Sequence, residues 1–237
     1  MPKYQKRLHR VNFEDISIMT TVNKTHYTVG EVVDGEVEVK ANKEDSDLGY
    51  LYMYLKSECA KNPKLPLERT EVKIDKFVVG QPFHISAGQT IYIPFSFTIP
   101  FHTPITYRSV KVFIHTGLDL HAGDDPEDTD YIEIGPSPLQ EKVFQSIELL
   151  KFVQQKPKYI PTAIEGEYLQ IFEFTKKENS SYKKLEISFI SSCTEAMLVH
   201  AIGTSDNVLL FDEMINIHKN ETVEVVKDKF EGKFSGS

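Results

Sequence analysis

The chain has 237 residues, 40% hydrophobic and 26% charged, a composition that allows a sizeable core without disulfide or metal support. The formal net charge is -8 with both signs interspersed, which leaves no continuous positive surface for a nucleic-acid backbone. The longest apolar runs are far shorter than the roughly 20 residues of a membrane-spanning helix, and no apolar stretch of a secretion signal follows the basic N-terminus. We therefore expect a soluble cytoplasmic protein that has no transmembrane segment and does not bind nucleic acid.

Cysteine usage agrees with a reduced compartment. Cys59 ends the mostly apolar side of an alternating segment and is expected to be a small buried hydrophobic residue. Cys193 has no second cysteine or histidine beside it. A disulfide framework is therefore not predicted, and a cytosolic setting is favoured.

Period-two alternation of apolar and polar residues dominates the chain and predicts half-buried strands. The alternating segments include residues 33–39, 51–59, 91–99, 110–114 and 185–189, and then Val223 and Val225. Turn-forming residues separate them at intervals of about 10 to 20 residues, which is typical of antiparallel β-sandwiches. Pro94 lies inside one segment and cannot donate to a strand ladder, so we expect that strand to be at an edge or to carry a bulge.

One segment has helical spacing instead. Val143, Ile147 and Leu150 recur at intervals of three to four residues, which predicts a short amphipathic helix. Ser137 before Pro138, with Gln140 three residues after the serine, predicts a capping box at its start. We place the boundary near Gly135, between an N-terminal lobe of residues 1–135 and a C-terminal region of residues 136–237 that contains the helix and a second lobe.

The densest polar segment is residues 115–130. Its candidate metal ligands are Asp119, His121, Asp124, Asp128 and Asp130. No register supplies the ligand positions of a calcium-binding EF-hand, and no zinc motif surrounds His115 or His121. We favour a solvated turn-forming loop that includes Asp124, Asp125 and Asp128, and keep a metal-binding protein or metal-dependent enzyme centred on residues 119–130 as the alternative.

Catalytic signatures are missing from the sequence. It contains no GxSxG nucleophile elbow, GxGxxG loop or GxxxxGK[ST] loop. We therefore assign no catalytic, cofactor-binding or metal residues, no cofactor, and no enzymatic activity. Tyr50, Tyr52 and Tyr54 lie opposite Leu51, Met53 and Leu55, which indicates either a central strand covered on both faces or a tyrosine-rich protein-binding surface.

Several segments resemble a known family. Residues 27–37 (YTVGEVVDGEV) are similar to the start of arrestin-like domains. The more specific segments, in this order, are 94–100 (PFSFTIP), 103–106 (TPIT), 115–120 (HTGLDL), 128–132 (DTDYI), 143–144 (VF) and 147–152 (IELLKF). Together they resemble the bacterial sporulation-control family typified by stage-zero sporulation protein M, over roughly residues 16 to 190.

The resemblance implies an all-β, arrestin-like fold with two β-sandwich lobes and one short amphipathic helix between them. It also implies a non-enzymatic, cytoplasmic regulatory or scaffold protein that binds partner proteins, with a homodimer compatible with this role. Neither the binding surface nor the partner follows from it, because proteins of one fold need not share a partner. A carrier of small molecules or lipids is the remaining alternative, although no sequence feature marks a cavity.

Overall fold

The structure is a computed structural model that describes residues 15–62, 65–107, 110–120, 125–161, 168–178 and 181–235. The strands before the first helix are β1 (Ile16–Val22), β2 (His26–Thr28), β3 (Val32–Ala41), β4 (Ser46–Asn62), β5 (Leu65–Gly80), β6 (Phe83–Ile85), β7 (Thr90–Thr98), β8 (Val110–Leu120) and β9 (Glu127–Gly135). After them come α1 (Pro138–Leu149), β10 (Val153–Gln154), β11 (Lys158–Pro161), β12 (Tyr168–Glu178), β13 (Ser181–Ser192), β14 (Ala196–Ser205), β15 (Val208–His218) and α2 (Val223–Ser235). The predicted all-β class is confirmed.

Two sheets form the N-terminal lobe. The smaller has the order β1-β3-β7, and the larger has the order β2-β9-β8-β4-β5 with β6 also paired to β4. Alternate residues of each sheet enter one shared core, among them Val37 of β3 and Met53 of β4, both with no exposed surface. Pro94 lies on β7, at the end of the smaller sheet, so its predicted edge position is confirmed.

The third sheet has the order β10-β12-β13-β14-β15, with β11 also paired to β12. Its apolar face packs with the two helices in a second core that includes Phe172, Leu185 and Val199 from strands and Val143 and Phe230 from helices. Ser146 of α1 donates a hydrogen bond to the carbonyl oxygen of Val223 at 2.9 Å, which ties the helices to each other.

Helix α1 begins as the sequence predicts. The Ser137 hydroxyl accepts from the backbone N–H of Gln140 at 3.3 Å, and the Gln140 side chain accepts from the backbone N–H of Ser137 at 2.8 Å. Pro138 occupies the first turn, where its missing N–H costs no hydrogen bond. The predicted capping box is therefore confirmed.

The prediction of a strand at Val223 and Val225 is wrong, because both residues belong to α2. Thr222 accepts from the backbone N–H of Val225 at 3.3 Å and caps the helix. Val226 and Phe230 are fully buried at i, i+4 spacing, so burial of one helical face outweighs the strand preference of valine.

A small third cluster lies between the larger N-terminal sheet and the third sheet. Cys59, Val72 and Val110 from the larger N-terminal sheet pack against Tyr159 and Tyr168 of the third sheet. Near it, Gln170 donates to the carbonyl oxygen of Ile105 and accepts from its N–H, both at 2.8 Å. These contacts join the two regions of the chain, whose boundary near Gly135 stays a prediction.

In the ranges given above, no helix is long and apolar enough to cross a membrane. The thiols of Cys59 and Cys193 are both free, and the predicted burial of Cys59 is confirmed at 1% exposure.

Candidate functional site

The acidic segment of residues 115–130 runs from β8 to β9 of the larger N-terminal sheet, and its side chains on these strands lie on both faces of that sheet. Asp119 of β8 points away from the core, and its charge acts on Tyr52. Asp128 and Asp130 are on β9 and face inwards, paired in register with the core residues Thr116 and Ile114. His121 and Asp124 lie outside the described residues. Among the residues that are described, no group of three or more His, Cys, Asp or Glu side chains is placed to hold a metal ion.

Asp128 is buried, so its predicted place in a solvated loop is wrong. Its carboxylate accepts from the backbone N–H groups of Thr20 at 2.5 Å and Thr129 at 2.9 Å. Burial raises the pKa of Asp128, although these hydrogen bonds oppose the rise. Burial and the Asp128 charge raise the pKa of Asp130 to about 7, and one oxygen of Asp130 is buried without a hydrogen-bond partner. Asp125 accepts a hydrogen bond from the backbone N–H of Leu120 at 2.8 Å.

The outer face of the larger N-terminal sheet gathers aromatic and basic side chains. We call this surface, formed by β5, β4, β8 and β9, the outer face. Its residues include Tyr50, Tyr52, Tyr54, Lys56, Glu58, Arg69, Glu71, Lys73, Lys76, Val78, Lys111, Phe113, His115, Asp119, Glu127, Thr129, Tyr131 and Glu133. Three of its large side chains are clearly exposed: Tyr50 at 47%, Tyr131 at 43% and Val78 at 56%. This exposure favours the second interpretation of the tyrosine segment, a protein-binding surface.

A lysine cluster surrounds Tyr54. The ammonium groups of Lys73, Lys76 and Lys56 lie 4.4, 5.2 and 5.8 Å from the centroid of the Tyr54 ring. The ammonium of Lys76 also lies 4.8 Å from the centroid of Tyr52. Each distance is within cation–π range, so the tyrosine rings hold the three cations close together.

A bulge in strand pairing brings these lysines together. Tyr54 pairs with Lys76 and Lys56 pairs with Lys73, so a step of two residues along β4 corresponds to a step of three along β5. The extra residue places Lys73 and Lys76 on one face, although a spacing of three in a regular strand would put them on opposite faces. The sequence therefore carries the signal of the tyrosines but not of the lysine cluster.

A shallow depression lies beside the lysine cluster. Phe113 and Tyr131 form its apolar side, with ring centroids 5.4 Å apart. His115 and Thr129 continue it, and Glu71 and Glu127 stand at its rim. Burial, and then the neighbouring Lys56 ammonium, lower the pKa of His115, so the imidazole is neutral at neutral pH. The positive charge of this region therefore comes from lysines.

Tyr52 is fixed by a glycine on the neighbouring strand. A Cβ at Gly117 would collide with the Tyr52 ring, so the ring lies directly over the backbone of β8. Burial, followed by the charge of Asp119, raises the pKa of Tyr52 to about 12, and its hydroxyl stays protonated. The Tyr52 ring is thus held in place and can contact a ligand without first becoming ordered.

The outer face can bind a ligand by charge and by aromatic contact. The sequence model of the SpoOM protein (Spo0M) family matches residues 4–202. The sporulation-control protein spo0M of Bacillus subtilis (strain 168) is 35% identical over 133 residues, which cover 56% of this chain and only 52% of that protein.

The crystal structure of Spo0M from Bacillus subtilis superposes with a TM-score of 0.80 at 24% identity, covering 94% of this chain and 99% of the other. At that identity the likeness concerns the fold, and it confirms the arrestin-like class. Because the family match covers most of the sequence, this chain belongs to the SpoOM protein (Spo0M) family.

Proposed function

We propose that this protein is a non-enzymatic, cytoplasmic regulatory or scaffold protein that binds partner proteins through the outer face. The observation that carries the proposal is the exposed surface of tyrosines and lysines on the larger N-terminal sheet. Tyrosine provides a large amphipathic contact area, and it is enriched where proteins bind each other.

The regulatory role is supported by the family. The Bacillus subtilis relative is named a sporulation-control protein, and a role in controlling a cellular programme is consistent with a binding surface. Because the alignment spans about half of that relative, its physiology comes to this chain only as part of the proposal.

A metal-dependent enzyme centred on residues 119–130 has less support. Asp119 is on the opposite side of the sheet from Asp128 and Asp130. One ion cannot be bound simultaneously from both faces of a hydrogen-bonded sheet, because metal–oxygen bonds are only about 2.0–2.6 Å long.

Site-specific photo-crosslinking in the native cell tests the proposal. A photoreactive amino acid replaces Tyr131 on the outer face, and in a matched control it replaces Tyr92, which is 57% exposed on β7 of the smaller sheet. We expect a specific protein to crosslink from position 131 and not from position 92. If neither position yields a specific adduct, and affinity purification of the unmodified chain also recovers no specific partner, the proposed function is wrong.

A further inference from the structure

We propose that the lysine cluster of Lys56, Lys73 and Lys76 is the docking site for an acidic segment of a partner protein. This inference rests on the proposed function and specifies the chemistry of the segment that the outer face receives. The partner's segment would place negatively charged carboxylates at the lysine cluster and an apolar side chain in the depression beside Phe113 and Tyr131.

The charges of the cluster are not balanced. Lys56 forms an ion pair with Glu71 at 3.3 Å. Within the described part of the chain, the ammonium groups of Lys73, Lys76 and Lys111 lie over tyrosine rings and have no carboxylate within ion-pair distance. The protein as a whole carries a formal charge of -8, so this concentration of positive charge is a local exception.

The open face of the third sheet provides an internal comparison. There, Lys158 contacts Glu173 at 2.6 Å, and Lys184 contacts Glu186 at 2.8 Å and Glu173 at 3.3 Å. Lysines and carboxylates alternate across that surface and neutralise each other. On the outer face, Glu71 and Glu58 form ion pairs with Lys56 and Arg69. The ammonium groups of Lys73 and Lys76, by contrast, have no carboxylate partner among the described residues, so their charges are available to an anionic partner.

Cation–π contacts explain how the cluster persists without a partner. Each ammonium lies near the negative face of a tyrosine ring, which offsets part of the repulsion between neighbouring lysines. The rings leave the outward side of Lys73 and Lys76 accessible, since both residues are exposed. A carboxylate can therefore bind them without displacing an existing ion pair.

The size of the cluster favours a peptide over a nucleic acid or a membrane. Glu71 and Glu127 at the rim of the depression and Asp119 near Tyr52 limit the positive region to a small area. A phosphate backbone or an anionic bilayer needs a broader positive surface. The adjacent aromatic depression also suits an apolar side chain, and an extended segment with acidic and apolar residues satisfies both features.

Fluorescence anisotropy with two synthetic peptides tests the inference. One labelled peptide of about twelve residues alternates Glu with Leu and Phe, and the other has Gln in place of every Glu. We expect the wild-type protein to bind the Glu peptide at least about tenfold more tightly than the Gln peptide, with a difference that shrinks as salt rises. Equal affinity for the two peptides would overturn the inference.

Paired variants locate the site. Lys73→Glu/Lys76→Glu is expected to weaken binding of the Glu peptide at least about tenfold, and Lys73→Gln/Lys76→Gln to weaken it by less. The control Lys40→Glu/Lys43→Glu makes the same charge change on the smaller sheet and the loop that follows its strand, and it should bind like wild type within about twofold. All these substitutions are at least partly exposed, and thermal melts verify that each variant folds. Equal losses in the two charge reversals would contradict the assignment.

Two further measurements separate this inference from the proposed function. Tighter binding to phosphatidylglycerol vesicles than to the Glu peptide, lost in Lys73→Glu/Lys76→Glu, would replace the peptide with a membrane surface and overturn the inference. A partner identified by crosslinking that binds wild type and the Lys73→Glu/Lys76→Glu variant equally would overturn it as well, while the proposed function would stand. Loss of partner binding in that variant alone would support both.

Discussion

The carboxylate of Asp128 on β9 accepts a hydrogen bond at 2.5 Å from the backbone N–H of Thr20 on β1, and this bond connects the two sheets of the N-terminal lobe. Thr20 also donates from its hydroxyl to the hydroxyl of Thr116 at 2.7 Å. Both contacts are buried, so they connect an edge strand of the smaller sheet to the inner face of the larger one. Asp128 of the acidic segment therefore helps to hold the two sheets of the N-terminal lobe together.

Replacing this carboxylate is expected to destabilise the lobe. Asp128→Ala leaves the buried N–H of Thr20 without an acceptor, and we expect the free energy of unfolding to fall by about 2 kcal/mol. Chemical denaturation at about pH 5 measures this change in the free energy of unfolding. At that pH Asp130 is protonated, so removing the Asp128 carboxylate relieves no repulsion between the two side chains.

Glu127→Gln is the matched control for this substitution. Glu127 is the preceding residue, points to the outer face and is 54% exposed, and its carboxylate lies 3.5 Å from the Nε2 atom of His115. Its replacement should change the free energy of unfolding by less than about 0.5 kcal/mol. Equal effects of the two substitutions would mean that the bond between Asp128 and Thr20 does not stabilise the lobe.

Asp130 is expected to make stability depend on pH. Its pKa is raised to about 7 in the folded protein, so the folded state retains a proton that the unfolded chain releases at about pH 4. Between these two values unfolding releases a proton, and the free energy of unfolding therefore falls as pH rises. Burial raises the pKa of Asp128 as well and acts in the same direction.

The variant Asp130→Asn removes this titration and isolates its effect. We expect a flatter profile of unfolding free energy against pH, and a variant that is more stable than wild type at about pH 8 by about 2 kcal/mol. Glu44→Gln, at an exposed position, should keep the wild-type profile. A wild-type profile that does not decline between about pH 4 and 7, or that Asp130→Asn leaves unchanged, would contradict the assignment.

The two thiols are expected to differ in reactivity. Cys193 is exposed, whereas Cys59 is buried and burial raises the pKa of its thiol, which disfavours the reactive thiolate. A thiol-specific chromogenic reagent at about pH 8 should titrate one thiol in the native protein and two after denaturation. In Cys193→Ser the rapid native reaction should disappear, and a rapid reaction that persists there would place Cys59 within reach of solvent.

Local signals in the sequence predict much of the fold. The capping residues Ser137 and Gln140 interact with backbone only three residues away, so they specify the start of α1 without tertiary information. The alternation from Leu51 to Cys59 likewise predicts the buried face of β4. In α2, however, the local alternation of Val223 and Val225 competes with the helical spacing of Val226 and Phe230, and only packing in the second core decides between them.

The candidate site depends on contacts between strands that are distant in sequence. Lys73 and Lys76 meet Tyr54 because of a bulge in the pairing of β4 with β5, and no local pattern encodes that register shift. The burial of Asp128 depends on β1, which is 108 residues away at Thr20. The tyrosines were identifiable as a candidate surface, but the charge that gives the surface its specificity was not.

Two glycines are expected to respond in opposite ways to the same substitution. Gly203 is on β14, paired in register with Phe211, and a Cβ there would collide with the Phe211 ring. The ring is buried and also contacts Phe234 of α2, with centroids 5.0 Å apart, so it cannot move without disturbing the second core. We expect Gly203→Ala to lower the free energy of unfolding by about 1–3 kcal/mol, the usual cost of overpacking.

Gly232 is the control for Gly203, because a Cβ at Gly232 would have no neighbouring atom to collide with. It lies on α2, and a Cβ there would have nothing within 4 Å. Gly232→Ala should therefore raise the free energy of unfolding by about 0.5–1 kcal/mol, because alanine loses less backbone freedom in a helix than glycine does. Denaturant titration of both variants beside wild type measures the two changes. Stabilisation by Gly203→Ala would show that Phe211 does not lie over β14, and destabilisation by Gly232→Ala would show that residue 232 is not an exposed helical position.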